Sequence, residues 1–449
     1  MKDAFSYKRK ITVIISTMLL CTVFVFLSAG HAAHALANSG TDISGENPAI
    51  SYMIYETETK QTLQRLNADA PADCSTLARL MTCLIVLESD TVSVTDYITP
   101  QRNSVSASER YELLSANQYM IDHLIKSVIL CNADNSARVL AAHISPDAEY
   151  FVSLMNKKAA ELGMTNTYFT NVDGTQDEIQ RTTVNDMTLF WSYAMGNTQF
   201  RNAASSPVTH IWGGTAVVNE CRLLRNASFN NASLTAGVYT MYDSDTSLGT
   251  TMFYITTGAS NTSLPPTRLT LVMTGVSDEY AYELGVSYIE NALINFVKSA
   301  LIERNCVVTT VKIDGGELIL VANESIYCMM PSDVTNYIDN ISYNITLENA
   351  SPGQGNNSMT LSELSPPIAQ GTVIGTANYM LKDGSVHQVT ISAGNTIRSD
   401  NKTVNIFYKT IQENTDIFIL VSVLAAFEFI LILCALVSKI RKHKKTGQM

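Results

Sequence analysis

Charge is scarce in these 449 residues: only 16% are Asp, Glu, Lys or Arg, and 30 basic residues stand against 41 acidic ones. The positive charge gathers at the two ends, in Lys8-Arg9-Lys10 and in Lys439, Arg441, Lys442, Lys444 and Lys445. The acidic stretch between them excludes nucleic acid as a partner, because phosphate binding rests on Lys and Arg clusters. Metal-ligand spacing is missing as well. Eight Cys and seven His form neither a CxxC nor an HExxH, which argues against a zinc enzyme, and no metal or cofactor is expected. Disorder is excluded by the 46% hydrophobic content, and at roughly 150 residues per domain the length allows two to three domains.

The ends read as targeting segments. Lys8-Arg9-Lys10 precedes an apolar run from Ile11 to Gly30 and a small-residue Ala35-Leu36-Ala37 site. That pattern predicts a signal peptide over 1–37, or a signal anchor if it stays uncut. Ile417–Val437 is a predominantly apolar stretch followed by the basic tail 438–449, as expected of a transmembrane helix with its C-terminus in the cytoplasm. The chain is therefore expected in the cell membrane, single-pass, with its bulk extracytoplasmic. Glu428 falls in mid-span, where an ionisable group is costly and usually faces a partner; it marks either a contact with another membrane protein or a protonated side chain tolerated in an apolar anchor. A Cys306–Cys328 disulfide is permitted outside the cytoplasm, as is one between Cys74 and Cys131.

Between the ends, Ala49–Tyr55 and Gln61–Leu66 flank a polar turn and predict two strands. Ser75 to Leu87 is apolar nearly all round, the mark of a helix buried in a large core. Helices are expected at Tyr119–Cys131 and Asn135–His143. Another starts at Ser145-Pro146 and stops before Gly163, and one capped by Thr183 stops at Gly196. β-rich runs at Met252–Thr257 and Arg268–Thr274 precede a helix from about Glu279 to Glu303. Beyond Asn305, short alternating runs (Val307–Ile313, Ile341–Leu347, Val373–Leu381, Val386–Ser392, Val404–Tyr408) predict a small all-β module.

The run from Phe151 to Gly174, FVSLMNKKAAELGMTNTYFTNVDG, closely resembles a segment of the serine-type D-Ala-D-Ala carboxypeptidases, the low-molecular-mass penicillin-binding proteins. The opening hairpin Ile54–Leu63 is similar to that family's first strand pair, and Pro366-Pro-Ile-Ala-Gln-Gly-Thr-Val-Ile-Gly375 is similar to its C-terminal β domain. The resemblance implies an α+β architecture: a β-lactamase/DD-peptidase-like domain over 45–304, an antiparallel sheet packed with helices. A β-rich domain over 305–411 follows, then the transmembrane helix at 417–437.

It also implies a catalytic cleft built from three motifs. In SxxK, a Ser attacks a carbonyl while a Lys one turn on takes its proton. SxN relays protons, and KTG holds the terminal carboxylate. Aligned on these, Thr76 and Arg79 replace the Ser and Lys, Asn132 and Asp134 stand in place of SxN, and Tyr239, Thr240 and Met241 occupy KTG. Only Thr240 keeps the family's residue. A guanidinium stays protonated and cannot act as a base, and taking Ser75 as the nucleophile puts Ala78 at the base position. Arg79 and Asp134, if both face the cleft, are expected to pair. Lys445-Thr-Gly447 spells the third motif but belongs to the tail. These residues predict an inactive carboxypeptidase-like protein with a binding or organising role at peptidoglycan or its stem peptides. The alternatives are an active carboxypeptidase trimming stem peptides and a membrane adaptor.

Overall fold

The structure, a computed structural model, describes residues 50–101, 113–226, 232–243, 247–257, 264–333, 336–346, 361, 364–398, 419, 429 and 430. The expected signal at 1–37, the run Val404–Tyr408, Glu428 with nearly all of the span Ile417–Val437, and the tail 438–449 lie outside them. Among the described residues no helix is long and apolar enough to cross a membrane.

Two compact units divide the chain. The first takes the residues up to Leu301 together with Ile326–Asn340 and Tyr379–His387; the second takes Ile302–Ser325, Ile341–Asn378 and the chain from Gln388 onward. At the centre of the first lies a five-stranded antiparallel sheet in the order β2-β1-β5-β4-β3. Its strands are β1 (Ser51–Glu56), β2 (Gln61–Leu66), β3 (Ala232–Asp243), β4 (Leu248–Thr257) and β5 (Arg268–Val276). Side chains alternate across the pleat: Met252, Tyr254 and Val272 join one apolar cluster, whereas Phe253, Ile255, Leu271 and Met273 join another.

Helices cover both faces. On the first lie α1 (Ser75–Leu87), α2 (Ile121–Cys131), α3 (Asp134–Ile144), α4 (Ala148–Glu161), α5 (Val184–Ala194) and α6 (Thr198–Ala204). On the second lie the short α7 (Arg222–Asn226) and α8 (Asp278–Asn295). The all-round apolar character of α1 has its counterpart in the fold: 11 of its 13 residues are buried, with Leu77, Ala78, Met81 and Leu84 fully so. Asp147, not Ser145, caps α4, accepting from Glu149 N and Tyr150 N, while Ser145 Oγ accepts from Asp147 N. Thr183 caps α5 as expected, through Asp186 N.

The expected helix to Glu303 is shorter than its sequence suggests. It ends at Asn295, and Phe296–Ile302 forms a strand, β6, paired with β9 (Ile326–Pro331). Extended backbone there carries Lys298 into a buried ion pair with Glu56, a long-range contact without a local signal. Ahead of β9 come β7 (Val307–Ile313) and β8 (Gly316–Ala322); β10 (Ile338–Ile345), β11 (Val373–Leu381) and β12 (Val386–Ala393) follow it, and a second five-stranded sheet runs β7-β8-β12-β11-β10. β8 and β9 have no counterpart among the predicted runs. Neither permitted disulfide forms. Cys74 and Cys328 are buried thiols, Cys306 is exposed, and the Cys131 thiol lies 3.7 Å from Val218 O.

Candidate functional site

The first turn of α1 places Thr76 and Arg79 one turn apart on one helical face. The Thr76 side chain is 1% exposed, and its hydroxyl has no hydrogen-bond partner among the described residues. Arg79 Nη1 donates to Asp134 Oδ1 at 2.9 Å and to the carbonyl of Asp173 at 3.2 Å, so the pair expected from sequence is present. Its Nε is buried without a partner among the described residues. Ser75 Oγ donates to the Asp73 carboxylate, which also accepts Ser75 N at 3.0 Å and so closes the turn into the helix. Among the described residues, no amine or imidazole bonds to either hydroxyl.

Asn132 sits where α2 ends, in the left-handed region at φ 57, a conformation Asn tolerates better than most residues. Both ends of its amide are engaged. Nδ2 donates to Glu220 Oε2 at 2.8 Å and to Tyr239 O at 3.3 Å, and Oδ1 accepts from Thr240 Oγ1 at 2.6 Å. Asp134 opens α3, where a carboxylate suits the helix dipole. Burial pushes its carboxyl up by more than the adjacent Arg79 brings it down.

On β3 the three aligned positions separate. Thr240 faces Asn132, but the Tyr239 ring lies on the other face of the sheet, in the apolar cluster with Phe253 and Ala281. Its hydroxyl donates to Ser247 O at 3.2 Å, and a Cβ on Gly249 would sit 2.8 Å from the ring. Burial and the Asp278 charge push the phenol to about 12, so it stays neutral. Met241 is 51% exposed. Arg79 thus bonds Asp134 and Asn132 bonds Thr240 as two separate pairs, the Thr76 hydroxyl bonds neither, and Tyr239 contributes its backbone carbonyl alone.

Sequence reasoning missed Asp73, Arg138, Asp173 and Glu220. Arg138 Nη1 donates to the Asp173 carboxylate and Nη2 to Asn135 Oδ1 at 2.6 Å. Burial would raise the Asp173 carboxyl, but the donors on Arg138 and Thr175 outweigh it and hold the group low. Asp173 lies inside the Phe151–Gly174 run, which could have drawn attention to it. Glu220 and Arg138 come from other segments and gave no local signal. No group of three or more His, Cys, Asp or Glu among the described residues is placed to hold a metal.

The site therefore has a hydroxyl, a fixed guanidinium and paired carboxylates at the head of a buried helix. Residues 34–242 match the family described as D-alanyl-D-alanine carboxypeptidase. Over those residues, a little under half of its length, the chain is similar to this family. D-alanyl-D-alanine carboxypeptidase DacC of Escherichia coli (strain K12) is 25% identical over 226 residues, covering 48% of this chain and 56% of the relative. DacA of Haemophilus influenzae is 28% identical over 185 residues, covering 38% and 47%. The chain thus spans about half the length of the curated relatives it matches. Penicillin binding protein 5 from Haemophilus influenzae superposes with a TM-score of 0.58 at 20% identity, covering 78% of this chain and 97% of the other. DacD from Francisella tularensis superposes with a TM-score of 0.57 at 17% identity, covering 81% and 96%. At these identities the superpositions establish the α+β carboxypeptidase fold and nothing finer.

Proposed function

We propose that this chain, similar to the carboxypeptidase family, binds peptidoglycan stem peptides without cutting them. The observation that carries the reading is Arg79. Acyl transfer from a hydroxyl needs a base that can take its proton, and a guanidinium held by Asp134 and the Asp173 carbonyl keeps its own. Thr76, with its hydroxyl buried and unpartnered, has no route to an alkoxide. The relatives' names bring the D-alanyl-D-alanine terminus as the ligand class. In this reading the span at 417–437 anchors the chain to the membrane, the bulk lies outside the cytoplasm, and Glu428 meets another membrane protein.

A labelled penicillin tests the inactive cleft on the full chain, because acylation requires only a competent hydroxyl and base. No covalent labelling is expected, together with saturable binding of purified muropeptides. Labelling that disappears in Thr76→Ala or Ser75→Ala would establish an active carboxypeptidase instead. Failure of both labelling and muropeptide binding would leave the adaptor role, and in that case Glu428→Leu should change the set of co-purifying membrane proteins.

A further inference from the structure

On the far side of Asp173 from Arg79, the first unit holds a cavity of about 790 Å3 between α3, α4 and the segment 168–173. That volume falls within the ~300–1,000 Å3 typical of small-molecule sites. The space follows from how α4 is turned. Phe151, Met155 and Ala159 point into the core, which leaves the short Ala148 and Ser153 beside Val152 on the face toward the cavity. Across from them, α3 presents Ala141 and Ala142, and Phe169 and Val172 line the third side.

The walls are set before any ligand arrives. Asn156 clamps Phe169 through both backbone groups, Nδ2 to Phe169 O at 2.9 Å and Phe169 N to Oδ1 at 2.9 Å. Asn171 bonds Thr175 O at 2.7 Å and Gly174 N at 2.8 Å. A cavity whose lining polar groups already bond one another costs little to organise around a guest. Charge decides which guest. Arg138 on the wall is answered by the Asp173 carboxylate. The Glu149 carboxylate, also on the wall, meets no cation among the described residues.

We propose that this cavity binds an organic cation, an aryl or alkyl body ending in an ammonium group. The body lies on Ala142, Ala148 and Val152, and the ammonium pairs with Glu149. The cavity shares Asp173 with the Arg79 contact, whereas Glu149 and Val152, through which it is tested, have no bond to Thr76 or Arg79.

Three molecules with one body and three heads test it by titration calorimetry on the full chain: 4-phenylbutylamine, 4-phenylbutanol and 4-phenylbutyrate. The amine is expected to bind at least tenfold more tightly than the alcohol, with the carboxylate weakest. Glu149→Gln should remove that preference while leaving the alcohol unchanged, and Val152→Trp should abolish amine binding by filling the space. If Val152→Trp does not fold, Ser153→Phe on the exposed side of the same wall replaces it. Alcohol or carboxylate binding as tight as the amine overturns the proposal. So does amine binding that survives a folded cavity-filling variant.

Discussion

The Arg79–Asp134 pair is asymmetric, and that asymmetry can be measured. The Arg79 side chain is 9% exposed and that of Asp134 41%. Replacing Asp134 by Asn takes away the charge that faces a buried guanidinium and leaves it neutral acceptors, the new amide oxygen and the Asp173 carbonyl at 3.2 Å. Replacing Arg79 by Met leaves a carboxylate that water can reach. At an effective dielectric near 20, two charges about 4 Å apart attract by about 4 kcal/mol, and desolvation offsets part of this. Stranding a charge by breaking a fully buried pair costs about 3–5 kcal/mol. The exposure of Asp134 moves the pair partway toward the weak surface case, so Asp134→Asn is expected to cost about 2–3 kcal/mol. Arg79→Met should cost only about 1 kcal/mol, and the double variant should resemble it, giving a coupling of about 2–3 kcal/mol. Both tryptophans, Trp191 and Trp212, lie in the first unit, so urea unfolding followed by Trp fluorescence reads that unit directly. The reasoning fails if Arg79→Met costs as much as Asp134→Asn, or if the two costs simply add.

Lys298 donates to Glu56 Oε1 at 3.1 Å, to Glu58 Oε2 at 2.6 Å and to Pro266 O at 3.1 Å; Glu56 is fully buried. Lys298→Met should therefore cost about 3–5 kcal/mol and Lys298→Met with Glu56→Gln much less, whereas a single-variant cost below about 1 kcal/mol would remove the pair from the fold's essentials. Because the folded Asp173 carboxyl titrates below its unfolded counterpart, its stabilisation is present above the ordinary carboxyl range and is lost as pH falls through the folded value. Asp134, displaced upward, contributes with the opposite sign. Asp173→Asn should thus flatten the acid loss of stability in urea melts across a pH series, and an unchanged acid slope would contradict the linkage. Gly163 and Gly174 both have positive φ, at 76 and 78, but a Cβ meets nothing within 4 Å at the first and Ser75 O at 2.3 Å at the second. Gly163→Ala is expected to lose about 1 kcal/mol and Gly174→Ala several times that, and equal melting-temperature losses would show that the clash relaxes away.

The run Phe151–Gly174 disclosed the fold because its residues do the folding. Asn156 ties α4 to Phe169, Gly163 ends the helix, and the Gly174 backbone lies against Ser75 where no side chain fits. These are constraints on identity at fixed spacing, which a linear sequence displays openly. The cleft was legible only as a set of identities. That Arg79 and Asp134 would meet followed from placing both at one site, and their charges did the rest. The direction of a side chain on β3 is another matter. Strand positions alternate between faces, so a motif aligned by residue type says nothing of which face each residue takes, and Tyr239 went to the core behind the sheet. Helix overrun at Phe296–Ile302 has the same origin. Its extended form is dictated by pairing with Ile326–Pro331 and by the Lys298–Glu56 contact, 242 residues apart in sequence, and no local propensity carries that information. If such long-range polar contacts decide these conformations, then Lys298→Met should disturb the β6–β9 pairing before it disturbs α1. Hydrogen exchange at the backbone of Phe296–Ile302 should accelerate while that of Leu77–Leu84 keeps its protection, and equal acceleration in both segments would mean that the strand is held by its neighbours, not by the buried charge.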